Sequence, residues 1–187
     1  MAIAAGDLDY YLTGAGSDGG AQADHDASLG GYRSSTEITD DTDNNLFDDV
    51  SGDEASAGRT EYRCICIKNA HGSLDLTDAV VYLSDEDIGG SNELYFAVEV
   101  PTTNDSTGSC QTIGNETTDP TVNSGNVSDW SQATTKGTGV TLDINAHDAD
   151  LGSGEIVFVW LKRVIAASAS AAAAVAFTVK IEGDTAA

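Results

Sequence analysis

Residues 61–84, EYRCICIKNAHGSLDLTDAVVYLS, contain two dense apolar runs separated by a short polar turn. The first run carries β-branched and aromatic residues on both faces, which is typical of a strand in the middle of a sheet. The AHGS turn includes Gly72, a residue type that takes positive φ at little steric cost. We therefore predict a β-hairpin whose apolar strands form the core on which the rest of the chain packs.

Four later segments also have strand composition and are bounded by turn residues. Because no amphipathic helix separates them, the pattern predicts an all-β protein, an antiparallel β-sandwich or jelly-roll-like domain. The segment 102–137 predicts irregular structure or short edge strands, and the alanine-rich run 166–174 predicts a loose connection or a short helical turn. The four strand segments are NELYFAVEV (92–100), TGVTLDINA (138–146), GEIVFVWLKRVI (154–165) and AVAFTVKIEGD (174–184).

The N-terminal third differs from the rest of the chain in its amino-acid composition. It is rich in Gly, Asp, Ser and Ala, and its large apolar residues occur singly or in short clusters. Such a segment cannot build its own core, so we predict an extended arm over residues 1–58, followed by the sandwich over 59–187. Its apolar residues either contact a partner or fold back onto the sandwich of their own chain. The candidate contact residues are Tyr10, Tyr11, Leu29, Tyr32, Leu46 and Phe47.

The chain is strongly acidic, with 31 Asp and Glu against 8 Lys and Arg and a formal net charge of −23. A polyanion of this strength repels phosphate backbones and anionic lipid surfaces, so nucleic acids and membranes are excluded as partners. The acids are spread along the chain, and Lys is scarce. This pattern favours a protein made for saline water, from a marine or haloarchaeal source, over an acidic surface that only maintains solubility.

Sequence motifs for catalysis are missing. No nucleophile elbow or phosphate loop is present, and the stretch DTDNNLFDDVSG (41–52) departs twice from the EF-hand pattern. Calcium binding by loop carboxylates, or weak metal binding by His25 with Asp24 and Asp26, remains open, but water-exposed acidic loops explain these stretches better. We therefore predict a non-enzymatic protein with no catalytic residues, no cofactor and no metal site.

The three cysteines, Cys64, Cys66 and Cys110, are predicted to be small buried apolar residues. Cys64 and Cys66 lie two apart on a predicted strand, so they share one face and are poorly placed to bond to each other. A metal site built from all three would need a fourth ligand.

The N-terminal sequence MAIAAGDLDYYL lacks the basic region of a signal peptide, so we expect synthesis in a cytoplasm.

Several stretches together resemble a family of small virion proteins of tailed bacteriophages and related prophages. They are LDYYLTGAG, DASLGGYRSSTEI, NLFDDVSGDEASAGRTEYRCICIKNAH, LDLTDAVVYL and VWLKRVIAASAS. The resemblance covers most of the chain and is weakest over residues 85–137. It implies a structural component of the virion, synthesised in the host cytoplasm, and it carries no catalytic residues.

Within that family, the resemblance leaves the place in the particle open. The first expectation is a capsid decoration or cement protein that binds the major capsid protein as a homo-oligomer at local symmetry axes. The alternative is a tail, baseplate or fibre-joint component of the same kind of particle. A third possibility, from a different class, is a cellular calcium- or carbohydrate-binding β-sandwich.

Overall fold

The computed structural model describes residues 2–85, 92–170 and 176–185, which form two antiparallel sheets. The larger sheet contains β1 (Leu8–Ala15), β2 (Gly30–Glu37), β3 (Arg59–Asn69), β5 (Glu93–Glu99), β6 (Ser109–Thr112) and β8 (Ile156–Ile165). The smaller contains β4 (Leu76–Asp85), β7 (Val140–Thr141) and β9 (Thr178–Thr185). The larger sheet is curled and has the strand order β5-β8-β3-β1-β2-β6, and the smaller has the order β7-β4-β9. The predicted all-β antiparallel sandwich is thereby confirmed.

The predicted hairpin over residues 61–84 is wrong. β3 pairs with β1 on one edge and β8 on the other, while β4 belongs to the smaller sheet. The connection between them crosses from one sheet to the other and is held by Asn69, whose side-chain amide donates to the carbonyls of Leu74 and Leu151 at 2.9 Å each. Gly72 is not among the residues with positive φ. Both runs are apolar strands, as predicted, but packing between sheets rather than a tight turn brings them together.

Two apolar clusters lie on opposite faces of the larger sheet. The first fills the space between the sheets and includes Ile65 and Ile67 from β3 with Val81 and Leu83 from β4. The second lies on the other face and includes Cys64, Cys66 and Trp160, so the shared face predicted for the two cysteines is confirmed. β3 and β8 are consequently buried on both faces, which explains their nearly continuous apolar sequences.

The segment expected to form an extended arm instead contributes two strands to the larger sheet. β1 lies between β2 and β3, and its pairing with β3 runs from Leu8 opposite Asn69 to Leu12 opposite Ile65. Residues on either side of position 58 therefore share one sheet and one core. The scattered apolar residues of this segment find their core only through pairing with distant strands, which local sequence patterns do not reveal.

The segment 102–137 is mostly irregular and contains β6 as its only strand among the described residues. Its backbone covers the outer edge of β5: Phe96 and Ser131 exchange N–H···O bonds of 2.9 and 2.8 Å, and Ser128 N donates to Val98 O.

The strand predicted at 138–146 is shorter in the structure, where only β7 (Val140–Thr141) forms. A six-residue helix, α1 (Gly52–Ala57), begins with a capping box formed by Ser51 and Glu54. Residues 166–170 form irregular structure and turns, and the remainder of the alanine-rich run extends outside the described residues.

Candidate binding groove

An open groove with a volume of about 960 Å³ lies where the start of β1 faces the start of β9. The loop that follows β2, residues 38–49, forms one wall. The floor of the groove is apolar and includes Tyr10, Ile38, Phe47, Phe177 and Val179. The rim carries carboxylates, among them Asp9, Glu37, Asp40, Asp41, Asp43 and Asp48. We call this feature the acidic groove.

The charge around the acidic groove is strongly unbalanced. Seven of its lining residues are Asp or Glu, whereas the basic ones are Arg163 and Lys180. Arg163 is buried and paired with Glu61, and the ammonium of Lys180 lies 3.4 Å from a carboxylate oxygen of Glu182. Arg163 is therefore not available to neutralise the rim, and the exposed Lys180 is a single cation among seven carboxylates. A low-dielectric floor beneath a carboxylate rim concentrates a negative potential in the groove.

The wall of the acidic groove is fixed to the sandwich by two buried arginines. Arg163 Nη1 donates to the carbonyl of Asp48 at 2.7 Å, and Arg63 Nε donates to the carbonyl of Leu46 at 3.1 Å. Between these two carbonyls lies Phe47, whose ring centroid is 4.6 Å from the guanidinium carbon of Arg163 and 5.5 Å from that of Arg63. These contacts hold the loop in place even though much of it is exposed.

Three of the four arginines of the chain belong to one charged network behind this wall. Arg163 Nε donates to Glu61 at 3.0 Å, and Arg63 Nη2 donates to Glu116 at 2.7 Å. Arg63 and Glu61 are almost fully buried, so each charge depends on its partner for stability. The members of the network are Arg59, Arg63, Arg163, Asp26, Glu54, Glu61 and Glu116.

His25, Asp26 and Asp48 form a group that could hold a metal ion, because one ligand atom from each lies within 4.8 Å of the others. The sequence suggested Asp24 as a partner of His25, but its carboxylate instead accepts a hydrogen bond from Asp26 N at 3.0 Å. Asp48 was missed because it lies far along the chain. Asp26 also accepts a 2.6 Å hydrogen bond from Arg63, so a guanidinium competes with any cation at this group.

Tyr10 connects the two sheets beneath the acidic groove. Burial raises the pKa of its hydroxyl to about 12, and a hydrogen bond with the backbone of Ile181 opposes this shift. Tyr10 belongs to β1 and Ile181 to β9, and Tyr10 packs against the apolar cluster between the sheets at the floor of the groove. The phenol is thus part of the structure that keeps the groove in shape.

The six predicted contact residues differ in how far they are buried. Leu46 and Phe47 are buried, and Tyr10, Tyr11 and Leu29 are half-buried against the two apolar clusters. These five therefore pack on their own chain, which was the alternative weighed for them. Tyr32 is the only large hydrophobic residue exposed among the described residues, at 36%. A partner contact at any of the six stays a prediction, and Tyr10 and Phe47 also line the acidic groove.

Comparison with known proteins provides no neighbour: no family model, curated protein or solved structure matches the chain. Within the described ranges, no helix combines the length and the apolar character needed to cross a membrane. The acidic groove is thus characterised by its own geometry and charge. Its apolar floor and anionic rim suit a ligand that carries both apolar and cationic groups.

Proposed function

We propose that the protein is a non-enzymatic structural component of a virus particle, a capsid decoration protein that attaches to the major capsid protein through its acidic groove. The virion assignment rests on the resemblance in sequence described above. The observation that carries the docking mode is the groove itself, an apolar floor enclosed by carboxylates at the junction of two sheets.

The open edge of β9 supports a protein segment as the ligand. Among the described strands β9 pairs with β4 alone, and its residues Thr178, Val179 and Lys180 line the acidic groove. An edge strand presents unpaired N–H and C=O groups to which an extended segment adds as another strand. Its alternate side chains would then enter the apolar floor, while the others face the rim.

Charge complementarity defines the partner further. A segment that carries Lys or Arg at alternate positions matches the carboxylate rim, and apolar residues between them match the floor. A second copy of this chain is a poor occupant of the groove, because both copies carry a charge of −23. We therefore assign the groove to a basic, extended segment of the major capsid protein. Homo-oligomer contacts use other surfaces, for which the exposed Tyr32 is the candidate.

Purified virus particles provide the test of the virion assignment. Gold-labelled antibodies against the protein locate it on the particle, and quantitative mass spectrometry gives its copy number. The proposal predicts hundreds of copies over the head. A few copies at the tail would overturn decoration in favour of a tail or baseplate component. Absence from the particles would overturn the virion assignment as a whole and favour a cellular binding module.

A further inference from the structure

Two of the three cysteines are in contact on the face of the larger sheet that points away from the smaller sheet. The sulfur atoms of Cys64 and Cys110 lie 3.7 Å apart, and both thiols are free. Cys66 points to the same face of β3 as Cys64, but it lies two residues, or about 6.8 Å, further along the strand. The contact is therefore specific to Cys64 and Cys110.

The contact between Cys64 and Cys110 joins two strands that are not neighbours in the larger sheet. Cys64 belongs to β3 and Cys110 to β6, and β1 and β2 lie between these strands in the sheet order. The two side chains meet because the sheet curls until its β6 edge returns over β3. A covalent bond at this place would close the curl, joining residues 46 positions apart in sequence.

We propose that Cys64 and Cys110 form a disulfide when the protein meets a small-molecule disulfide such as oxidised glutathione, and that this bond fixes the curl of the larger sheet. The Cys110 thiol loses its proton and attacks one glutathione sulfur, which expels the first glutathione thiolate and leaves a mixed disulfide. The Cys64 thiol then loses its proton and attacks the Cys110 sulfur, which expels the second. Two protein thiols are oxidised, one external disulfide is reduced, and two protons pass to solvent.

The surroundings decide which thiol reacts first and how fast. Cys110 is 7% exposed and lies on a four-residue edge strand, whereas Cys64 is fully buried in the middle of the sheet. Local opening of β6 therefore gives the oxidant access to Cys110 before Cys64. Burial raises the pKa of the Cys64 thiol well above its usual value, so the closing step is slow at neutral pH and faster in mild alkali.

The experiment uses the folded full-length chain, incubated with oxidised glutathione at about pH 8 and then digested for mass spectrometry. Fragmentation distinguishes Cys64 from Cys66, which share the tryptic peptide 64–68. We expect a Cys64–Cys110 cross-link with Cys66 left free. The melting temperature should rise by roughly 5–15 °C, because the bond closes a long loop of the unfolded chain, and a reductant should reverse the rise.

Two variants test whether the cross-link requires Cys110 and not Cys66. The variant Cys66→Ala should keep the cross-link and the rise in melting temperature, and Cys110→Ala should lose both. Three free thiols in the folded wild-type protein after oxidation would overturn the proposal, and so would a dominant Cys66–Cys110 link. A Cys64–Cys110 link without a change in melting temperature would overturn the claim that the bond fixes the curl. The wild-type measurement stands even if a variant fails to fold.

Discussion

The guanidinium carbon of Arg163 lies 4.6 Å from the centroid of the Phe47 ring. Arg163 belongs to β8, an interior strand of the larger sheet, and Phe47 belongs to the loop 38–49 that follows β2. Arg163 also donates to the carbonyl of Asp48, and its other nitrogens pair with Glu61. One buried side chain therefore connects the apolar core, the charged network and the wall of the acidic groove. The shape of the groove depends on this connection.

Replacing Phe47 should loosen that wall and destabilise the fold. Phe47→Ala removes a buried aromatic ring that packs on two guanidinium groups and on the ring of Phe177, whose centroid is 6.1 Å away. We expect a loss of about 3–5 kcal/mol in the free energy of unfolding, measured by urea denaturation. The control Tyr32→Ala alters an exposed ring and should change stability by less than about 0.5 kcal/mol. Equal effects of the two substitutions would contradict the anchoring role of Phe47.

Two glycines offer a matched pair for testing the packing of the larger sheet. Gly30 has φ +89°, and a Cβ atom there would lie 2.0 Å from the carbonyl oxygen of Gln111 and 2.9 Å from the ring of Trp160. Gly30→Ala should therefore cost several kcal/mol, on the order of the largest single-residue effects, or prevent folding. Gly72→Ala meets no atom within 4 Å and should be neutral or slightly stabilising. A strong effect at Gly72 would contradict the open surroundings and the ordinary backbone conformation of this residue.

Because the pKa of Tyr10 is raised in the folded protein, we predict that the protein loses stability in alkali. Burial raises its pKa in the folded protein to about 12, above the ordinary value of 10.0. The stabilising contribution is thus complete below pH 10 and disappears as the pH rises from 10 to 12, because the unfolded state releases its proton first. Urea unfolding should show this decline, to which Tyr10 contributes at most about 1.4 kcal/mol per pH unit. Other groups contribute to the same decline, because burial also raises the pKa of Tyr62 to about 12. Tyr10→Phe should reduce the slope by the share of Tyr10, and an unchanged slope would contradict a buried phenol.

Salt should stabilise the protein beyond simple screening if its charge is an adaptation to saline water. The net charge of −23 makes the folded chain repel itself at low ionic strength. Screening between surface charges is largely complete near 1 M salt, where the Debye length is about 3 Å. We predict that the melting temperature continues to rise as KCl increases from about 0.1 to 2 M. A melting temperature that stays flat over this range would remove the argument for a saline host.

The sequence was sufficient for the fold class because alternation and two-faced apolar runs are local signals. The runs that became β3 and β8 were identified from composition alone. The partners of each strand were not, because β3 pairs with β1 and β8 rather than with its neighbour in sequence. The short segment 70–75 resembles a hairpin turn, yet Asn69 holds it as a connection between sheets.

The acidic groove could be predicted only in part. The excess of carboxylates in residues 37–49 was evident, and Leu46 and Phe47 were recognised as apolar residues that need a partner surface. Their partners are Arg63 and Arg163 of the same chain, which lie 17 and 115 positions away from the backbone oxygens they contact. Buried arginines in otherwise apolar strands were the available signal, because a charge at such a place requires a partner.

The most direct test of the docking mode is a titration of the full-length protein with a basic peptide of alternating lysine and valine residues, followed by calorimetry at about 0.1 M KCl. The variant Asp41→Asn/Asp43→Asn removes two rim charges, and Asp53→Asn/Asp143→Asn removes two charges elsewhere. We predict that the peptide binds the wild type, that the rim variant weakens binding by about 2–10-fold, and that the control variant leaves it unchanged. No binding, or an equal loss in both variants, would contradict the acidic groove as the site that receives a basic segment.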